Sequence, residues 1–174
     1  NVLEILRPQY AAAVENLAVK RKDREQPYSP HEHLAEHLMN FYWSGKAALE
    51  DPILARFWTK ADDGLRAHAL DFVGRGLSNT EGTVPPDILN RLKNLWHQRF
   101  EVAKGSSQPQ SYQKELASFG SWFASGKFED NWAIEQLKQV INLVHKIDRD
   151  HLVVERLAKI TATIPLQAVE CLKL

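Results

Sequence analysis

At 174 residues, with 44% hydrophobic and 25% charged content, the chain has a globular composition and can bury roughly 70% of its unfolded surface, which excludes a disordered tail or a fibrous protein. Lys plus Arg and Asp plus Glu balance at 22 each, so no net positive field exists to gather nucleic acid or anionic lipid, and neither is expected as a partner. A single cysteine, Cys171, excludes an internal disulfide framework and a Cys-rich zinc site and suits a reducing cytoplasm, while no apolar run approaches the roughly 20 residues of a membrane span.

Apolar residues recur at helical spacing along almost the whole chain, and no stretch alternates as a strand would, so an all-α fold is expected. Pro8 is placed at a first helical position, with Tyr10, Ala13, Val14, Leu17 and Ala18 on one face. That helix is expected to end in the solvated cluster Lys20-Arg21-Lys22 with Arg24. Ser29-Pro30-His31-Glu32 has the form of a capping box and opens a helix burying Ala35, Leu38 and Tyr42. Gly45 can take the left-handed conformation that closes it.

Asp51-Pro52 then opens a short helix with Ile53, Leu54, Phe57 and Trp58, and Asp62 or Asp63 caps the next, with Leu65, Ala69, Phe72, Val73 and Leu77 inward. Pro86 leads a long helix through Ile88, Leu92, Leu95 and Phe100, and the polar stretch Gly105 to Gln110 follows. Leu116, Phe119 and Phe123 form the face of a helix that Gly126 closes. Asp130 is expected to cap a helix bearing Ile134, Leu137, Ile141 and Val144, and Asp148 or Asp150 one bearing Leu152, Val153, Leu157 and Ile160. Pro165 begins the last helix, in which Cys171 lies on the apolar stripe as a small buried hydrophobe. The chain lacks an initiating methionine and stops inside an amphipathic pattern, as a fragment of a longer protein would.

The chain nearly repeats itself. Phe41-Tyr42-Trp43-Ser44-Gly45-Lys46 returns as Trp122-Phe123-Ala124-Ser125-Gly126-Lys127, 81 positions later (126 minus 45), and Glu50-Asp51 returns as Glu129-Asp130. The residues match neither glycine nor serine requirements of a phosphate-binding loop, because Asn40 and Ser121 stand where the first glycine should be. Helix stops followed by a lysine explain both copies. A long fixed period is the mark of stacked supersecondary units, so the expected architecture is a single domain over residues 1–174. It would be a short α-solenoid, or α–α superhelix, of about nine helices in two four-helix quasi-repeats, about 8–77 and 86–162, with the start of a third at 165–174.

Asp63-Gly64-Leu65-Arg66-Ala67-His68-Ala69-Leu70-Asp71-Phe72-Val73, an acidic cap before an Arg-x-x-Ala-Leu helix, resembles proteins of the HEAT-like α-helical repeat class. Asp150-His151-Leu152-Val153-Val154-Glu155-Arg156-Leu157 keeps the cap and the apolar spacing. The resemblance implies the helical arm of a large multidomain protein, such as the sensor arm of an NTPase, and a partner that is another protein or another domain of the same polypeptide.

One motif points to different chemistry. His33-Leu34-Ala35-Glu36-His37 matches the H-x-x-E-H pattern of the inverzincin metallopeptidases, in which two histidines one helical turn apart bind zinc and the glutamate activates water; Glu115 is the candidate third ligand. That family is α/β, and an all-α chain with these residues on the polar first turn of a helix favours solvent-facing side chains. The reading from sequence is therefore a non-catalytic scaffold for protein–protein interaction in the cytoplasm, without a cofactor, with a zinc site on His33, Glu36 and His37 as the alternative. Trp96, followed by His97-Gln98-Arg99, is the candidate exposed contact, with Trp96, His97 and Arg99 as the interaction surface.

Overall fold

The computed structural model describes residues 2–18 and 29–171, and those residues are entirely helical and turn, with no strand among them. The helices are α1 (Val2–Glu15), α2 (Pro30–Trp43), α3 (Pro52–Lys60), α4 (Asp63–Asn79), α5 (Pro86–Lys104), α6 (Gln113–Ala117), α7 (Phe119–Ser125), α8 (Asp130–Val144), α9 (Asp150–Ile160) and α10 (Pro165–Cys171). Short 3-10 turns follow α1 and precede α6.

Local signals set most of the boundaries. Ser29 accepts from the His31 amide and Glu32 reaches back to the Ser29 amide, completing the capping box of α2. Asp51 and Asp62 accept from the amides of Ile53 and Leu65, capping α3 and α4. Gly45 and Gly126 hold φ of +73° and +72° and close α2 and α7. Past Gly45 the Lys46 amide returns to the Phe41 carbonyl, the reach-back bond of a left-handed helix stop.

Three expectations are corrected, and one lies outside the described residues. Pro8 lies inside α1 and does not open it, and the cluster Lys20 to Arg24 falls outside the described residues. Asp130 is the first residue of α8 rather than its cap, because Arg156 takes its carboxylate at 2.6 Å. Neither Asp148 nor Asp150 caps α9. Arg149 occupies the cap position with φ of +56°, and the Asp148 amide donates instead to the Ala117 carbonyl at 2.9 Å. That bond accounts for the break between α6 and α7: it occupies a carbonyl the helix would use, and the Ser121 amide turns to Ser118.

The helices α2, α4, α7 and α9 pack each against the next, with α6 also on α4, α1 against α3, and α8 against α6, α7 and α10. The long α5 crosses this row. Its Arg91 carbonyl accepts from the buried Tyr42 hydroxyl at 2.5 Å, and its Trp96 packs on Phe119, ring centroids 4.4 Å apart, and on Trp122. Trp122 stacks on Phe128 and donates its indole N–H to the Leu70 carbonyl at 2.7 Å, so the ring's polar edge is satisfied inside the core. Cys171 is buried, as its apolar stripe predicts, and burial pushes its thiol up to about 11.

Candidate interaction groove

The left-handed turn at Gly45 throws the chain out of α2 and across α5 before Asp51 starts α3, and Arg7 holds Asp51 from the far side at 2.9 Å. Between this 44–51 crossing, α3 and α5 lie three neighbouring depressions of about 410, 610 and 440 Å³, and Leu49 lines all three. They follow one stripe of α5, through Arg91, Asn94, Gln98 and Val102, residues three or four apart and therefore on one face. From Arg91 to Val102 that stripe measures about 16 Å at 1.5 Å per residue, room for roughly five residues of extended chain. Val102, 43% exposed, gives the far end of the stripe an apolar contact, and Leu49 supplies another from across the groove.

At the end near Trp58 and Tyr112 the floor is a buried ion triad. Glu115 has no solvent exposure; Arg66 Nε donates to its Oε2 at 2.5 Å and Arg99 Nε to its Oε1 at 2.6 Å. Arg66 also donates to the carbonyls of Ala61 and Ser111 and lies over the Tyr112 ring, while Arg99 lies over the Trp58 ring. Every arm of the triad thus has a partner, and the arrangement locks α4, α5 and α6 together rather than offering a reactive group.

At the opposite end the Arg91 guanidinium lies against Gly45: a Cβ there would fall 2.6 Å from Arg91 Nη1. Burial pushes the Tyr42 hydroxyl up to about 12, with the nearby Arg91 cation opposing the shift and the Glu50 carboxylate adding to it. Glu50, His97 and Glu101 line the open middle of the groove.

The sequence candidates distribute unevenly over this geometry. Trp96 and Arg99 are corrected: Trp96 is fully buried and donates to Gln136, and Arg99 is 5% exposed in the triad, so neither is a surface contact. His97 alone of the three is exposed, in the groove. The metal candidates are not brought together. Glu36 meets His68 of α4 at 3.0 Å, His37 meets the Tyr10 hydroxyl of α1 at 2.9 Å, His33 is a half-exposed neighbour of Glu36, and Glu115 is enclosed by its two arginines. Among the described residues no group of three or more His, Cys, Asp and Glu stands close enough to hold a metal ion. Helical spacing of Arg91, Asn94, Gln98 and Val102 was the available sign of the groove stripe. Nothing in the chain marked Leu49 or the seating of Arg91 on Gly45, which depend on where the 44–51 crossing lands.

Among these residues no helix is long and apolar enough to cross a membrane. No protein-family model matches this chain, and neither the curated proteins nor the solved structures compared with it contain a match.

Proposed function

We propose that the chain is a non-catalytic helical module that binds an extended segment of a protein partner, or of another domain of its own polypeptide, in the groove along α5. Its helix pairs would be stacked as a short α-solenoid, in the manner of HEAT-like repeats. The observation that carries this reading is the continuity of the three depressions along one face of α5, sharing Leu49 and edged by polar side chains able to fix a backbone's register. The row α2, α4, α7, α9 and the matching left-handed stops at Gly45 and Gly126 support the stacked arrangement.

Selection from a displayed library of random heptapeptides tests it, with the Leu49→Asp, Val102→Asp double variant as the counter-target. Both replaced residues are at least partly exposed, so the variant should keep its fold, which circular dichroism checks. Enrichment of peptides that bind the parent and lose at least about tenfold on the variant is expected, the two apolar contacts together contributing on the order of 1–3 kcal/mol. Peptides that bind both proteins equally, or no enrichment, would reject the groove.

A further inference from the structure

Two glycines in this chain each seat an arginine, and among the described residues only one of those arginines has a counter-ion. At Gly126, φ +72°, a Cβ would fall 2.5 Å from Arg156 Nη1, and Arg156 Nη2 donates to Asp130 Oδ1 at 2.6 Å. Asp130 opens the next helix, α8, just beyond the glycine stop. At Gly45, φ +73°, the Arg91 guanidinium takes the equivalent seat. The carboxylate at the start of the next helix here is Asp51, and it is already engaged, accepting from Arg7 at 2.9 Å and from the Ile53 amide at 2.9 Å. Among the described residues the Arg91 guanidinium has no hydrogen bond or ion pair to a protein group, and the amides of Ala48, Leu49 and Glu50 have no protein acceptor. Arg91, Ala48, Leu49, Glu50 and Asn94 all line the 410 Å³ depression.

We propose that this depression is a carboxylate-binding site of the groove, in which Arg91 and the free amides of the 48–50 turn receive an acidic side chain or the terminal carboxylate of a protein segment. The Arg156–Asp130 pair shows the chemistry that the glycine-seated guanidinium accepts. A guanidinium fork presents parallel N–H groups matched to a carboxylate, and three amides add donors without adding a counter-charge. Glu50 is the competitor: its carboxylate is close enough to act on Tyr42, as Arg91 is, yet it makes no contact with Arg91 within ion-pair distance. A bound carboxylate therefore works against Glu50, which gives the site a distinctive response to neutralising that residue. The inference deepens the groove reading by naming the chemistry of what the partner brings to one end.

Amide and arginine Nε resonances of the intact chain, titrated at constant ionic strength with N-acetyl-aspartate amide for a side chain, N-acetyl-glycine for a terminus, and chloride as control, test the site. The expected result is saturable shifts centred on residues 48–50 and Arg91 Nε with at least one carboxylate and not with chloride; the tighter probe identifies the source. Arg91→Gln should weaken binding about tenfold or more, as loss of a charge-assisted pair does, and Glu50→Gln should tighten it about two- to fivefold. Should Arg91→Gln fail to fold, Glu50→Gln decides alone. Linear shifts that match chloride, or a Glu50→Gln protein that binds no better than the parent, would overturn the carboxylate site. The groove reading would survive that result, since its own test reads Leu49 and Val102.

Discussion

Arg99 donates to Glu115 across 2.6 Å at a point where Glu115 is wholly shut off from solvent. A second arginine, Arg66, faces the same carboxylate, and Asp63 on the first turn of α4 accepts from the Glu115 and Lys114 amides at 2.9 and 3.0 Å. The short helix α6 is therefore capped not by its own flanking residue but by another helix.

Removing Glu115 leaves two guanidinium groups in the core against one another. Glu115→Ala should cost about 3–5 kcal/mol in a denaturant titration, the range for breaking a buried pair from one side. Asp63→Ala, which removes the tertiary cap and a 3.9 Å ion pair with Arg66 but leaves Glu115 in place, should cost only on the order of 1–2 kcal/mol. Equal losses for the two variants would show that the triad is not held as a closed unit. Replacing all three charged residues by apolar ones should recover only part of the loss, because the carbonyls of Ala61 and Ser111 would then lack the Arg66 donors.

Gly120 and Gly82 make opposed predictions. A Cβ on Gly120 would run into the backbone carbonyl of Asp148, the very segment whose amide breaks the α6–α7 helix. Gly120→Ala must displace backbone and should cost about 3 kcal/mol or more, or prevent folding. Gly82 has φ +71° but nothing within 4 Å of its Cβ position, so Gly82→Ala should cost only about 1–2 kcal/mol, the strain of the left-handed conformation alone. Thermal unfolding of both variants reads the difference.

Trp96→Ala separates a core role from a surface one. With the ring fully buried against Phe119 and Trp122, the loss should be about 3–5 kcal/mol of stability. His97→Ala, one residue on and exposed, should change stability by less than about 0.5 kcal/mol.

Alkaline pH should weaken the fold over two overlapping ranges. Both Cys171 and Tyr42 are held neutral by burial, with folded values of about 11 and about 12 against ordinary values of 9.0 and 10.0. A folded value raised above the unfolded one contributes stability that is complete below the unfolded value and lost as pH rises through the folded one. Stability should therefore begin to fall near pH 9 through Cys171 and fall further between 10 and 12 through Tyr42. Denaturant midpoints measured from pH 8 upward should show Cys171→Ala flattening the first part of the fall and Tyr42→Phe the second; an unchanged slope in both would show that neither group is the source.

What the chain determined by itself is most of what acts within about one helical turn. Ser29, Asp51 and Asp62 cap the helices they precede, Gly45 and Gly126 stop the ones they follow, and Pro86 and Pro165 open theirs, because each effect is a bond or a dihedral preference between near neighbours. What only the tertiary structure decided is the use of side chains that reach across 16 to 78 positions. Asp130 reads as a cap but belongs to Arg156, Glu115 reads as a candidate metal ligand but closes a core triad, and Arg99 and Trp96 read as surface contacts but are buried. Arg91 is the inverse case. A charged residue on a long amphipathic helix carries no mark of whether a counter-ion will be waiting, because that is settled by where Gly45 sends the chain and by Arg7 reaching Asp51 first.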